Sequence, residues 1–66
     1  MRLSPERRRQ IIIEAACRVA KRVGRNAVTL RETAAECSPK TSLALVKHYF
    51  SNQNVLHDEI HKRLSS

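Results

Sequence analysis

Apolar residues recur at Ile12, Ala16, Val19, Ala20 and Val23, three or four positions apart, and Ile13 and Cys17 widen the stripe. That spacing is the period of an amphipathic helix. Its ends are marked as clearly as its face. Ser4 is a good N-cap, Pro5 suits the first helical turn, and Glu6 complements the helix dipole. Gly24 follows Val23 as a C-cap, with Arg25-Asn26 as the break. The pattern predicts a first helix over residues 5–23, with Arg7, Arg8, Glu14, Arg18, Lys21 and Arg22 on its polar face.

A second helix opens at Thr29-Leu30-Arg31-Glu32, a T-x-x-E capping box. In such a box the Thr hydroxyl caps the amide three residues on, and the Glu reaches back. Leu30, Thr33, Ala34 and Cys37 can face inward, which predicts a helix over residues 30–37. Pro39 disfavours helix at Ser38 and ends it there. Two starts then compete for the third helix. Ser38 can cap it with Pro39 in its first turn, or Thr41 or Ser42 can cap a helix that begins at Leu43. Either way it runs to Phe50, with Leu43, Val46 and Phe50 on one face and Leu45 and Tyr49 beside them. Lys47 and His48 point outward. Ser51-Asn52 interrupts, and either residue can cap a fourth helix over residues 53–64 with Val55, Leu56, Ile60 and Leu64 as its stripe. The expectation is an all-α bundle of about four short helices in one domain.

Composition supports this. Apolar content is 41% but aromatic content only 3%, so the core must be aliphatic. One Gly and two Pro leave little turn chemistry for an all-β fold. At 66 residues the chain is a single small domain with a modest core. Net charge is +7, from 13 Lys and Arg against 6 Asp and Glu, which favours a polyanionic partner. Eight of the 13 basic residues fall within the first 25 positions. A merely solvated helix face is the plainer reading of that cluster. No apolar run approaches the roughly 20 residues that span a bilayer, and no signal-peptide core is visible. A cytoplasmic protein is expected.

Little in the chain suggests catalysis. No nucleophile–base pair, paired carboxylates or phosphate-cradling Gly loop stands out, so no enzyme and no cofactor are expected. Cys17 and Cys37 are isolated and show no metal-ligand spacing. His57 and His61, at i and i+4, lack a third ligand nearby and read as a solvated helix face. What remains is two short helices joined by a turn in a basic chain, the pattern of a helix-turn-helix that places its second helix in a DNA groove.

Three separated segments resemble the N-terminal DNA-binding domain of the tetracycline-repressor (TetR) family of bacterial regulators. They are IIEAACRVAKRVG at residues 12–24, VTLRETAAE at 28–36 and HYFSNQNVL at 48–56. Ile12, Ile13, Ala15, Ala16 and Gly24 match the first helix of that family, and Thr29, Arg31, Glu32 and Ala34 its Thr-capped second helix. Tyr49-Phe50 match the aromatic end of its recognition helix. The chain departs from the family by about two extra residues between Ala34 and Phe50, and in the Ser38-Pro39 region, where a turn Gly is usual. Lys47 stands where a Tyr is usual, and Gln53 where a phosphate-touching Lys is usual. The family's C-terminal inducer-binding and dimerisation domain has no counterpart here, so no small-molecule inducer is expected.

On this reading the third helix enters the major groove. Lys40 or Lys47 can donate to guanine O6 and N7, Thr41 and Ser42 can bond base or phosphate, and His48 can donate or accept. Arg7, Arg8, Thr29, Arg31 and Asn52 are candidate phosphate contacts. The resemblance implies the same role for the Tyr49 hydroxyl. Each has a plainer alternative: Thr41 and Ser42 as caps only, Tyr49 as a core-edge residue, and the arginines as solubilising charges. The expected function is sequence-specific double-stranded DNA binding by a small bacterial, plasmid or phage transcriptional regulator, with two copies on a two-fold operator as one arrangement. The alternatives are an accessory DNA-binding factor in excision, partition or packaging, and a protein-interaction module docking an acidic partner.

Overall fold

A computed structural model describes residues 4–37 and 41–65. Four helices make up the fold: α1 (Pro5–Val23), α2 (Leu30–Glu36), α3 (Leu43–Tyr49) and α4 (Gln53–Ser65). A short 3-10 turn, Arg25–Ala27, joins α1 to the segment before α2. The Cα radius of gyration is 10.8 Å, about what a folded chain of this length has.

Local capping sets the helix ends. Ser4 Oγ accepts from the Arg7 amide at 3.1 Å, which starts α1. Gly24 stops it at φ +95°, a conformation that L side chains rarely adopt, with its amide donating to the Ala20 carbonyl at 2.8 Å. Thr29 Oγ1 accepts from the Glu32 amide at 3.1 Å, as the capping box requires. The Glu32 carboxylate accepts from the Thr29 hydroxyl at 3.3 Å, closing the box through the side chain. Ser42 Oγ accepts from the Leu45 amide at 3.2 Å, so α3 begins at Leu43. The alternative start, with Ser38 as cap and Pro39 in the first turn, lies outside the described residues. Asn52 Oδ1 caps α4 through the Val55 amide at 3.1 Å. Replacing Thr29 by Ala should lower stability by about 1 kcal/mol, read as a lower urea midpoint with unchanged slope.

The core is built around α1. Ile11, Ile12, Ile13, Ala15, Ala16, Cys17, Val19 and Ala20 are all buried, a wider arc than a one-sided stripe supplies. The reason is that α1 packs against both α2 and α4. Val28, Leu30, Thr33, Ala34, Val46, Phe50, Leu56 and Ile60 fill the rest. The stripes predicted from periodicity overreach at helix ends. Val23, Val55 and Leu64 are 42%, 38% and 41% exposed, because the last turn of α1 and both ends of α4 extend past their neighbours' cover.

Buried polar groups are satisfied. The Thr33 hydroxyl, fully buried, donates to the Thr29 carbonyl at 2.8 Å, and the Cys37 thiol donates to the Thr33 carbonyl at 3.2 Å. Burial pushes both Cys17 and Cys37 above the ordinary thiol range, so neither is poised as a nucleophile. No described helix is long and apolar enough to cross a membrane.

Candidate nucleic-acid interface

Helix α3 shows one face inward and one outward. Val46 and the following Phe50 are buried, and Leu43 and Tyr49 are half-buried against the same core. With 3.6 residues per turn, the positions opposite Val46 are Ala44 and His48, flanked by Lys47. All three are exposed. The His48 and Tyr49 rings meet edge-on, with centroids 5.3 Å apart, so Tyr49 braces the imidazole from the core side. α3 contains no acidic residue.

The first turns of α1 lie beside the corner between α3 and α4. The Arg9 guanidinium sits over the Phe50 ring, 5.2 Å from its centroid, and pairs with Glu59 at 3.3 Å. That engagement takes Arg9 out of the Arg7-Arg8-Arg9 cluster as a free cation. Arg7 is exposed and Arg8 half-buried.

The remaining ion pairs lie on the α1–α2 and α1–α4 seams. Arg18 and Arg22, one turn apart on α1, each hold a Glu36 carboxylate oxygen at 3.2 Å. Arg18 also donates to the Glu36 carbonyl at 3.3 Å, which complements the C-terminal end of α2. Arg63 pairs with Glu14 at 3.4 Å, and Lys62 lies 3.8 Å from Glu59. Hydrogen bonds from Arg18 and then Arg22 hold the Glu36 carboxyl below the usual glutamate range. Its stabilising effect is therefore complete above the ordinary value of about 4.5 and fades as pH falls through the lower folded value. Glu36→Gln should be less stable than the parent at neutral pH, and the gap should close in acid, as read by urea midpoints across that range.

These seams divide the cations into two sets. Among the described residues, Arg7, Arg8, Lys21, Arg25, Arg31 and Lys47 take part in no ion pair. Arg31 is exposed on α2, and Lys47 is exposed on α3.

The residues expected to touch DNA meet different fates. Lys47 and His48 are outward and accessible. Ser42 is exposed, its oxygen accepting in the α3 cap while its O–H stays available to donate. Thr41 departs from the expectation: it is 4% exposed, buried rather than presented to solvent. Lys40 lies outside the described residues. Of the candidate phosphate contacts, Arg7 and Arg31 are exposed. Tyr49 is half-buried, and Asn52 is exposed with its side-chain oxygen capping α4. The Thr29 hydroxyl is engaged on both sides by Glu32.

The two histidines of α4 are not a plain solvated face. His57 Nε2–H donates to the Val28 carbonyl at 2.8 Å, tying α4 to the start of the α2 segment. His61 Nδ1 accepts from Arg25 at 2.9 Å. Together with Asn26 and Asp58 these residues line an open cleft of about 240 Å³. No group of three His, Cys, Asp or Glu among the described residues is placed to hold a metal ion.

Sequence reasoning passed over Ala44, which carries no polar group to attract notice. Its spacing of four from His48 was the available signal. It also passed over the Arg18–Arg22 clamp, whose partner lies 18 and 14 residues away. No protein-family model matches this chain, and no curated protein or solved structure matches it either.

Proposed function

We propose that the domain binds double-stranded DNA sequence-specifically, as a small transcriptional regulator of a bacterium, plasmid or phage. In this reading α2 and α3 form a helix-turn-helix, and α3 enters the major groove by its exposed face. The observation that carries it is the division of the cations. Arg9, Arg18, Arg22, Lys62 and Arg63 are neutralised along the helix seams, whereas Lys47 and Arg31 form no ion pair among the described residues, and α3 has no acidic residue. An exposed helix face without carboxylates, as on α3, suits a polyanion better than it suits mere solvation.

The dimensions also suit it. A helix with its side chains is about 10–12 Å across, and the major groove is about 12 Å wide. α3 is two turns long, roughly 10 Å, so it reads only a few base pairs. The TetR-like segments described from the sequence favour the same arrangement. Arg7 and Arg31 then grip phosphates on either side while Lys47 and His48 face base edges. Such a module acts in the cytoplasm, and two copies on a two-fold operator would give the affinity that one lacks.

Salt dependence tests the reading. The two phosphate contacts of Arg7 and Arg31 give a slope of about −2 in log affinity against log salt, a loss of roughly tenfold between 50 and 200 mM salt. Fluorescence anisotropy on labelled duplex measures it. A flat salt response, or tight binding to an acidic protein with none to DNA, would count against the proposal.

A further inference from the structure

We infer that α3 reads a guanine-and-thymine half-site, with Ala44 against a thymine methyl and Lys47 and His48 donating to guanine. This rests on the DNA-binding reading above. It follows from which side chains the fold leaves facing outward.

Three of the seven α3 residues are exposed: Ala44, Lys47 and His48. They occupy positions i, i+3 and i+4, one continuous face. Of the other four, Val46 is buried, Leu43 and Tyr49 are half-buried against the core, and Leu45 is half-buried. Thr41, which by type could contact any base, is buried. The chemistry that α3 can offer is therefore short. Its residues include no Asn or Gln, the side chains that bond adenine N6 and N7 together. They include no Asp or Glu, the acceptors that suit cytosine N4.

What remains matches two bases. Lys47 is a pure donor, and guanine presents two acceptors, N7 and O6, in the major groove. His48 adds a ring N–H donor on the same side, held by the edge-on contact with Tyr49. Ala44 offers only a methyl group, and thymine is the base that presents a methyl in that groove. The smallness of Ala44 has a second effect. It sits opposite Val46, at the point of closest approach, so the helix axis can settle deep enough for Lys47 and His48 to reach the base edges. Ser42, at the cap with a free O–H, is placed for a phosphate rather than a base.

Base analogues test this without altering the protein. Sites are first selected from a random duplex pool. In the best site, each guanine is replaced in turn by 7-deazaguanine, which lacks the N7 acceptor, and each thymine by uracil, which lacks the methyl. One 7-deazaguanine position should weaken binding about tenfold. In Lys47→Ala or His48→Ala the same replacement should cost little, because the partner donor is already gone. One uracil position should weaken binding about threefold. Ala44→Ser, which keeps the helix, should lose that sensitivity. Binding that persists at a selected site but ignores both analogues overturns the inference and leaves DNA binding standing. Selected sites read through adenine or cytosine contacts overturn it equally. Absence of salt-dependent DNA binding at any sequence overturns both this inference and the reading beneath it.

Discussion

Phe50→Ala is expected to leave the domain largely unfolded at room temperature. Phe50 is fully buried and leads the largest buried side chains. It stands where α3 ends, its amide donating to the Val46 carbonyl at 2.8 Å, and its ring lies under the Arg9 guanidinium. Truncating a buried Phe to Ala costs about 3–5 kcal/mol through lost burial and the cavity left behind. A domain of this length has only roughly 3–10 kcal/mol in total. No disulfide is present to limit the damage, since Cys17 and Cys37 are both free. The loss should show as a collapsed helical circular-dichroism signal and the absence of a cooperative thermal transition. Phe50→Leu keeps most of the volume and should retain a transition at lower temperature. A Phe50→Ala variant as stable as the parent would mean that the corner between α3 and α4 is not packed as described.

Lys47→Ala combined with His48→Ala should abolish specific DNA binding while leaving stability nearly unchanged. Both residues are exposed, and neither forms an ion pair among the described residues, so removing them takes nothing from the core. Each good base contact is worth about 1–3 kcal/mol of discrimination, so the pair together should cost a hundredfold or more in affinity for the preferred site. Residual binding should be weak, indifferent to sequence and steeply salt-dependent, since the phosphate contacts remain. Lys62→Ala removes one charge from α4 and should change affinity far less. Unfolding free energies of both variants from urea titration should lie within about 0.5 kcal/mol of the parent. Equal losses from Lys62→Ala and Lys47→Ala would indicate diffuse electrostatic attraction rather than a reading helix.

The comparison of sequence with structure separates what is local from what is not. Helix ends were legible because caps act over three or four residues: Ser4, Gly24, Thr29, Ser42 and Asn52 all do what their chemistry suggests. The burial of Ile11 and Ala15 was not legible, because it depends on α1 having neighbours on two sides. The burial of Thr41 was not legible either, because it follows a segment whose path the sequence leaves open between two helix starts. The arginines show the same limit. Arg18 and Arg22 looked like solvated polar-face residues, and only the tertiary arrangement brings Glu36 to them. At the candidate site, Lys47 and His48 could be placed outward from helical phase alone. The same phase places Ala44 beside them, but a residue without a polar group gives a sequence reader no reason to stop there.

If the outward face of α3 meets DNA, backbone amide shifts of the isotopically labelled domain will register it as duplex carrying the selected site is added. Perturbations should concentrate on Ser42 to His48, with a second group at Arg31 and the first turn of α1. Little change should appear along the seam where Arg18 and Arg22 hold Glu36. Perturbations centred instead on the cleft of Arg25, His57 and His61, with α3 unchanged, would contradict that contact.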